Sequence, residues 1–438
     1  MSKDASSRHR RFQNYIELLS KALGHKDRLA PFRAYCTGLL LPGERKSVEP
    51  MAARTFPGEV SRAHQSLHHF VATAPWRDRP VLEAIADYVL PGMGRHGGID
   101  AWIVDDTGMP KKGEHSVGVA RQYCGILGKQ ENCQVAVSLS LANETASLPV
   151  AYDLYLSADW VKDRSRCHKA GVPEEIGFRR KWEISLDQIK QAGAKEYPKA
   201  PVVADAGYGN ITEFRLGLRE LELDYMVGIQ TSTAVWPEGS GPLPPRPKKS
   251  KMGRPRKNLR RTSNHQPISV FELATLLPEK AFRNVSWREG AKGEMQSRFA
   301  AVRVRASHED MWRSEPHPEE WLLIEWPETE KEPRKFWLSS LPKTTSRKKL
   351  VTLAMLRWRI EHDYEELKSE LGLDHFEGRS WRGFHHHGTL CIAAYGFLVA
   401  EKLRFSPLSN IRRQNLFEEP SLPEDYIPRG SAPKGPAA

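Results

Sequence analysis

At 438 residues the chain is long enough for two to three domains of about 150 residues each, and for a sizeable buried core. Its 66 Lys and Arg against 54 Asp and Glu leave a formal charge of +12, which puts polyanions, and nucleic acid first among them, at the head of the partners to expect. The longest strongly apolar stretch, residues 390–400, stops at Glu401-Lys402, well short of the roughly 20 residues that a membrane span requires. A soluble protein is expected. Lys3, Arg8, Arg10 and Arg11 have no apolar run behind them, which argues against a secretory signal. Cys36, Cys124, Cys133, Cys167 and Cys391 lie far apart and form no Cys-x-x-Cys. They read as reduced cytoplasmic thiols, neither a disulfide framework nor a zinc site.

From residue 12 to about 92 apolar residues recur at helical spacing, as in Tyr15-Ile16-Leu18-Leu19 and Val81-Leu82-Ile85-Ala86-Tyr88-Val89-Leu90. With the basic turn at residues 43–47, this predicts a helical DNA-binding domain over residues 1–96. The pattern changes at Gly97-Gly98. A strand is predicted at 101–104, ending in Asp105-Asp106, and further strands at 121–127, 134–141 and 148–156 form a meander with turns at Gly128 and Asn143-Glu144. Trp182, Leu186 and Ile189 at i, i+4 and i+7 predict a helix over 178–192. Pro201-Val202-Val203-Ala204 is a buried-type strand closing on Asp205, followed by a helix at 212–221 and a strand at 225–229. Residues 97–230 therefore describe a mixed sheet with helices on its faces, the α/β class.

Over residues 231–345 the alternation breaks down. Residues 246–261 hold nine Lys or Arg and no acid, a composition expected to be disordered alone and to wrap on a polyanion. Gly253-Arg254-Pro255 is similar to a minor-groove hook, a weak signal that makes Arg254 and Arg256 candidate DNA contacts. Strand-like pieces at 299–304, 321–325 and 335–338 predict a basic, β-rich insertion with a small sheet of its own. Strong helices are predicted at 347–371 and 388–404, within a C-terminal part of the core over 346–405. The Pro-rich residues 406–438 are expected to be a flexible tail.

Three acids stand out: Asp105 and Asp205 at strand ends, and Glu361 in the helix after the insertion. Singly, each reads as a turn residue or a solvated ion pair. Together they are the oxygen-rich set that Mg²⁺ or Mn²⁺ prefers. Two such ions about 3.5 to 4 Å apart activate a water or a 3′-hydroxyl and stabilise the leaving oxygen of a phosphodiester. At about 100° per residue, Arg357, Tyr364, Glu365 and Lys368 share the face of Glu361, so a carboxylate is flanked by cations suited to DNA phosphates. Glu365 is the rival of Glu361, and Asp106, turned to the other strand face, is the rival of Asp105. Lys111 and Lys112 are candidate phosphate contacts. Trp287 is a candidate for stacking on an unpaired base, with core packing as its alternative. The consecutive His385-His386-His387 diverge too widely to chelate one ion and read as packing or phosphate-facing residues.

Asp105-Asp106-Thr107-Gly108, Asp205-Ala206-Gly207-Tyr208-Gly209 and Arg357-x3-Glu361-x6-Lys368 resemble the three catalytic blocks of the DDE transposases of bacterial insertion sequences. The likeness is closest to the IS Four superfamily and its IS Seven-zero-one branch, and residues 109–113, 116–123 and 378–383 share it. The resemblance implies a ribonuclease H-like mixed sheet with helices on both faces, a β-rich insertion before the last catalytic helix, and an N-terminal helical domain. It implies a transposase that binds terminal inverted repeats, cleaves at the element ends and transfers 3′-OH ends to target DNA. Asp105, matching Asp-x-Thr-Gly, would hold two Mg²⁺ ions (Mn²⁺ as substitute) together with Asp205 and Glu361, while Arg357 and Lys368 position phosphates. Double-stranded DNA is the implied partner, with a homodimer in the synaptic complex, in a bacterial cytoplasm at the nucleoid. Three residues before Arg357 that family carries a signature tyrosine; here Ala354 stands there. A catalytically silent DNA-binding regulator and a structure-selective nuclease are the alternative functions.

Overall fold

The computed structural model describes residues 3–246, 257–290 and 293–406. Arg254, Arg256 and the predicted tail from residue 407 lie outside the described residues.

The N-terminal helical periodicity becomes α1 (Lys3–Ser20), α2 (Leu29–Leu40), α3 (Val48–Thr55), α4 (Val60–Ala72) and α5 (Asp78–Arg95). Their apolar residues, such as Tyr15, Ile16 and Leu19 on α1 and Val81, Ile85 and Val89 on α5, fall on one stripe per helix and are buried. A meander follows: β1 (Ala101–Pro110), β2 (Ala120–Cys124), β3 (Lys129–Ala142) and β4 (Ser147–Leu154). Next come the helices α6 (Ala158–Lys162), α7 (Arg164–Lys169) and α8 (Lys181–Ala194), then β5 (Val202–Ala204), α9 (Ala206–Gly209), α10 (Thr212–Glu220) and β6 (Tyr225–Ile229). β3 pairs antiparallel with β4 on one side and β1 on the other, while β1, β5 and β6 run parallel. β5 and β6 are fully buried, as central parallel strands covered on both faces must be, which explains their unbroken apolar sequence.

The insertion supplies β7 (Ala234–Pro237), β8 (Ile268–Ser269), the helix α11 (Val270–Leu276), β9 (Arg283–Gly290), β10 (Gly293–Ala306), β11 (Glu319–Glu325) and β12 (Lys335–Ser339). It does not have a separate sheet. β12 pairs with β6 through Phe336 opposite Ile229, Trp337 opposite Gly228 and Leu338 opposite Val227, and β11, β10, β7 and β8 follow in one twelve-stranded sheet. Without β12, β6 would be an edge strand with a row of unpaired backbone groups; pairing satisfies them and ties the insertion rigidly to the strands that carry the acids.

The helix predicted over 347–371 is two helices, α12 (Arg347–Leu356) and α13 (Trp358–Ser369), with the seam at Arg357. There the amide of Ile360 bonds the Arg357 carbonyl at 3.1 Å, three residues back instead of four. α12 packs on β5, β6, β9 and β10, whereas α13 packs on β1 and β4. The seam falls where the chain passes from one set of strands to the other.

The last helix, α14 (Trp381–Phe405), is buried over most of its length. It packs against α2, α4, α5 and β4, so one continuous apolar core joins the N-terminal helices to the sheet. His385, His386 and His387 diverge within that core. His385 Nε2 accepts from the Leu154 amide at 3.3 Å, His386 stacks on Trp76 with ring centres 3.5 Å apart, and His387 meets the Tyr35 hydroxyl at 2.9 Å. Burial pushes His386 and His387 down to about 4, so both are neutral packing residues at neutral pH. All five cysteines are free and buried. Among the described residues no helix is long and apolar enough to cross a membrane.

Asp363 anchors α13 to the core. Its carboxylate accepts from the Ser147 hydroxyl at 2.7 and 2.5 Å and from the Tyr395 hydroxyl at 2.7 Å. Burial nevertheless raises it to about 6, the hydrogen bonds and Arg359 only partly opposing. The folded value lies above the unfolded one, so the contribution to stability is full below about pH 4 and is lost as pH rises through about 6. Asp363→Asn removes the titration. In urea unfolding, the change in stability on going from pH 4 to pH 7 should be more favourable in the variant by on the order of 3 kcal/mol.

Candidate active site

Asp105 lies within β1, opposite Ser138 of β3, and its residue is 9% exposed. Asp205 follows β5 directly and caps α9. Its Oδ1 accepts from the Gly207 amide at 2.8 Å and the Tyr208 amide at 3.4 Å, the usual work of an N-cap aspartate. Glycine makes this turn possible. A Cβ at Gly209 would overlap the carbonyl oxygen of Gly228 and lie 2.9 Å from Val227 Cβ, and a Cβ at Gly228 would lie 3.0 Å from the Ala206 amide nitrogen. The Asp205-x-Gly-x-Gly block is thus a helix start laid directly on β6. Glu361 comes from the first turn of α13.

The three acids, 256 residues apart in sequence from first to last (361 − 105), line one cavity of about 750 Å³, together with Arg357, Lys368 and Tyr364. The Arg357 guanidinium stands between two of them. Its Nη1 donates to Asp105 Oδ2 at 3.3 Å and its Nη2 to Glu361 Oε1. Burial pushes Asp105 up to about 7, Arg357 opposing and the negative neighbours Asp205 and Asp106 adding to the rise. Glu365 also reaches this cavity and is exposed. Asp106 lines this cavity too, but its side chain is paired with the Lys181 ammonium, and it also lines an adjoining cavity of about 720 Å³ that shares Asp205.

The other predicted contacts are placed unequally. Lys368 reaches the cavity but its ammonium donates to the Gly108 carbonyl at 2.9 Å, and burial lowers its pKa. Tyr364 is buried with its hydroxyl against Ser138, which docks α13 on the sheet under Asp105. Lys111 donates to the carbonyls of Phe376, at 2.8 Å, and Asp374, at 3.3 Å, fastening the segment that follows α13. Lys112 is exposed. Trp287 is half-buried, packed edge to face on Phe299 with centroids 5.8 Å apart, and lines a different cavity of about 460 Å³ beside Trp358. Ala354, in place of the signature tyrosine, is buried. Lys181 opens α8 as an unremarkable basic residue, and nothing local marks it as the partner of an acid 75 positions away.

The candidate donors suit a hard divalent cation: Asp105, Asp205 and Glu361 offer carboxylate oxygens to one cavity that Asp106, Glu365 and Asp374 also line. Among the described residues no three His, Cys, Asp or Glu side chains are drawn together at ligating separation. The contacts between Asp105 and Glu361 are made through Arg357.

Residues 18–294 match the family described as DDE superfamily endonuclease. The chain belongs to that family. The matched span includes Asp105 and Asp205 and ends before Glu361. A probable transposase for insertion sequence element IS701 from Microchaete diplosiphon is 33% identical over 172 residues, which are 39% of this chain and 42% of that relative. The similarity therefore spans less than half of the relative's length. The fold of the endonuclease is the ribonuclease H-like one: a mixed sheet with an antiparallel meander entering a parallel β1-β5-β6 centre, and flanking helices.

Proposed function

We propose that this DDE endonuclease is a transposase. It binds the terminal inverted repeats of its own element as double-stranded DNA, cleaves at the element ends with water as nucleophile, and joins the freed 3′-OH to target DNA by in-line attack. The observation that carries the reading is the convergence of Asp105, Asp205 and Glu361, from three remote segments, on one cavity that also holds Arg357 and Lys368. The three carboxylates are the residues that would hold Mg²⁺, or Mn²⁺ in its place. Such ions supply activation of the attacking oxygen and stabilisation of the leaving one. Arg357 releases Asp105 and Glu361 when a DNA phosphate offers its guanidinium a stronger partner, and a planar fork suits a phosphate as well as a carboxylate. The net charge of +12 supplies sequence-independent affinity that falls with salt. Synapsis of two ends calls for a homodimer on DNA, and the setting is the bacterial cytoplasm at the nucleoid.

Incubation of the full chain with labelled duplexes carrying the inverted repeats that flank its reading frame, plus Mn²⁺, should give nicks at the repeat boundary. Binding without nicking would support a silent regulator, and cutting of branched DNA regardless of sequence would support a structure-selective nuclease. The buried Asp105 adds a pH signature. Raised to about 7, it keeps its proton below that pH, and ligand carboxylates must be deprotonated. The Mn²⁺ concentration for half-maximal cleavage should therefore fall as pH rises from 6 through about 7 and level off toward 8; a flat profile would remove Asp105 from the ligand set.

A further inference from the structure

The hairpin between β2 and β3 carries side chains that the chemistry above does not use. Tyr123, Ile126 and Leu127 are 61%, 58% and 43% exposed. Three of the twelve large apolar side chains exposed among the described residues thus fall within five positions. Single exposed apolar residues are ordinary, but a cluster at the mouth of a polar cavity marks a contact surface.

Its position is fixed by close packing. Gly125–Leu127 make a single 3₁₀ turn, ended by Gly128 at φ 62°, and a Cβ at Gly108 would lie 2.9 Å from Cys124 Sγ and 3.3 Å from Cys124 Cα. The hairpin base therefore rides on β1, the strand of Asp105, and Tyr123, Gly125 and Ile126 form part of the wall of the cavity that holds the three acids. Exposed Arg121 and Lys112 lie on the flanking strand and loop. An apolar tip flanked by cations suits a DNA groove, where the cations take phosphates and an aliphatic side chain enters between base steps.

Resting on the reading of the cavity as a DNA-cleaving site, we infer that Ile126, supported by Leu127, is a wedge that enters the duplex beside the bond to be cut and unpairs the neighbouring base step. Tyr123 stacks on the base so released.

The test uses the full chain with I126S and L127S together. Both side chains are exposed, so folding should be kept, as thermal unfolding would verify. Two labelled duplexes from the repeat end and its flank are compared, one fully paired and one with two mismatched pairs beside the cleavage position. With Mn²⁺ the variant should cut the paired duplex about tenfold more slowly than the unaltered chain, and the mismatched duplex at a rate within about twofold of it. A 2-aminopurine on the strand opposite the released base, where no stacking on Tyr123 is expected, should brighten when the duplex binds D205N, and stay dark when D205N also carries I126S and L127S. Equal cleavage of the paired duplex, no brightening with D205N, or equal loss of binding to both duplexes would overturn the wedge. Failure of the unaltered chain to cut either duplex would instead overturn the nuclease reading beneath it.

Discussion

Asp205→Asn should abolish cleavage of the element ends while leaving their binding unchanged. The substitution separates two duties of one side chain. As an N-cap, Asp205 accepts the Gly207 and Tyr208 amides, and an asparagine oxygen accepts the same bonds at nearly equal value. Helix α9, and with it the shape of the cavity, is therefore retained. What asparagine lacks is the negative charge that a metal-holding carboxylate supplies. Metal-based stabilisation of phosphodiester cleavage amounts to several kcal/mol, and 1.36 kcal/mol corresponds to a tenfold change in rate, so a loss of about 10³-fold or more is expected. The measurement is cleavage of labelled repeat ends with Mn²⁺ alongside fluorescence anisotropy for binding. Cleavage within tenfold of the unaltered chain would remove Asp205 from the active set. Loss of binding together with cleavage would mean that the variant had damaged the fold.

Gly209→Ala should be among the most destabilising single-methyl additions in the molecule. The added Cβ would overlap the Gly228 carbonyl oxygen and crowd Val227 Cβ at 2.9 Å. The obstacle is backbone in a central, fully buried strand, which has no rotamer to change. Overpacking of this kind costs typically about 1 to 3 kcal/mol and occasionally more, and the upper end is expected because α9 must lift off β6. Gly177→Ala is the matched control. Nothing lies within 4 Å of its Cβ, and its effect should stay within about 0.5 kcal/mol. Chemical denaturation of both variants measures the difference. Because Asp205 sits at the start of α9, the destabilised variant should also lose cleavage, a coupling that a glycine conserving only chain flexibility would not produce.

The two glycine-bearing blocks show how far local sequence carries. An apolar run ending in acid is a local pattern that predicts strand-end carboxylates; this is right for Asp205, which follows β5, but wrong for Asp105, because β1 continues to Pro110 through its pairing with β3. The reason for the glycines of the two blocks could not be read. Gly108 is small because Cys124 approaches it, and Gly209 because Gly228 does; both partners arrive through strand pairing. Arg357, Glu361 and Lys368 were legible as one helical face, since 3.6-residue periodicity is local. The break of that helix at Arg357 was not, because it follows from the two different surfaces that α12 and α13 meet.

The sequence by itself determined the class of the fold, the order of its core strands along the chain and the excess of positive charge, and it singled out Asp105, Asp205 and Glu361 as candidates; all of these depend on neighbours within a few residues or on sums over the chain. Only the tertiary structure decided that Arg357 bridges Asp105 to Glu361, that Asp106 is paired with Lys181, that Tyr364 is anchored to Ser138, and that the insertion continues the core sheet through β12 instead of standing apart. Those contacts join residues 4 to 252 positions apart, and all but the shortest are set by sheet register and helix docking. Register is a property of the packed whole, since the same alternation of side chains is compatible with several pairings until a buried face selects one.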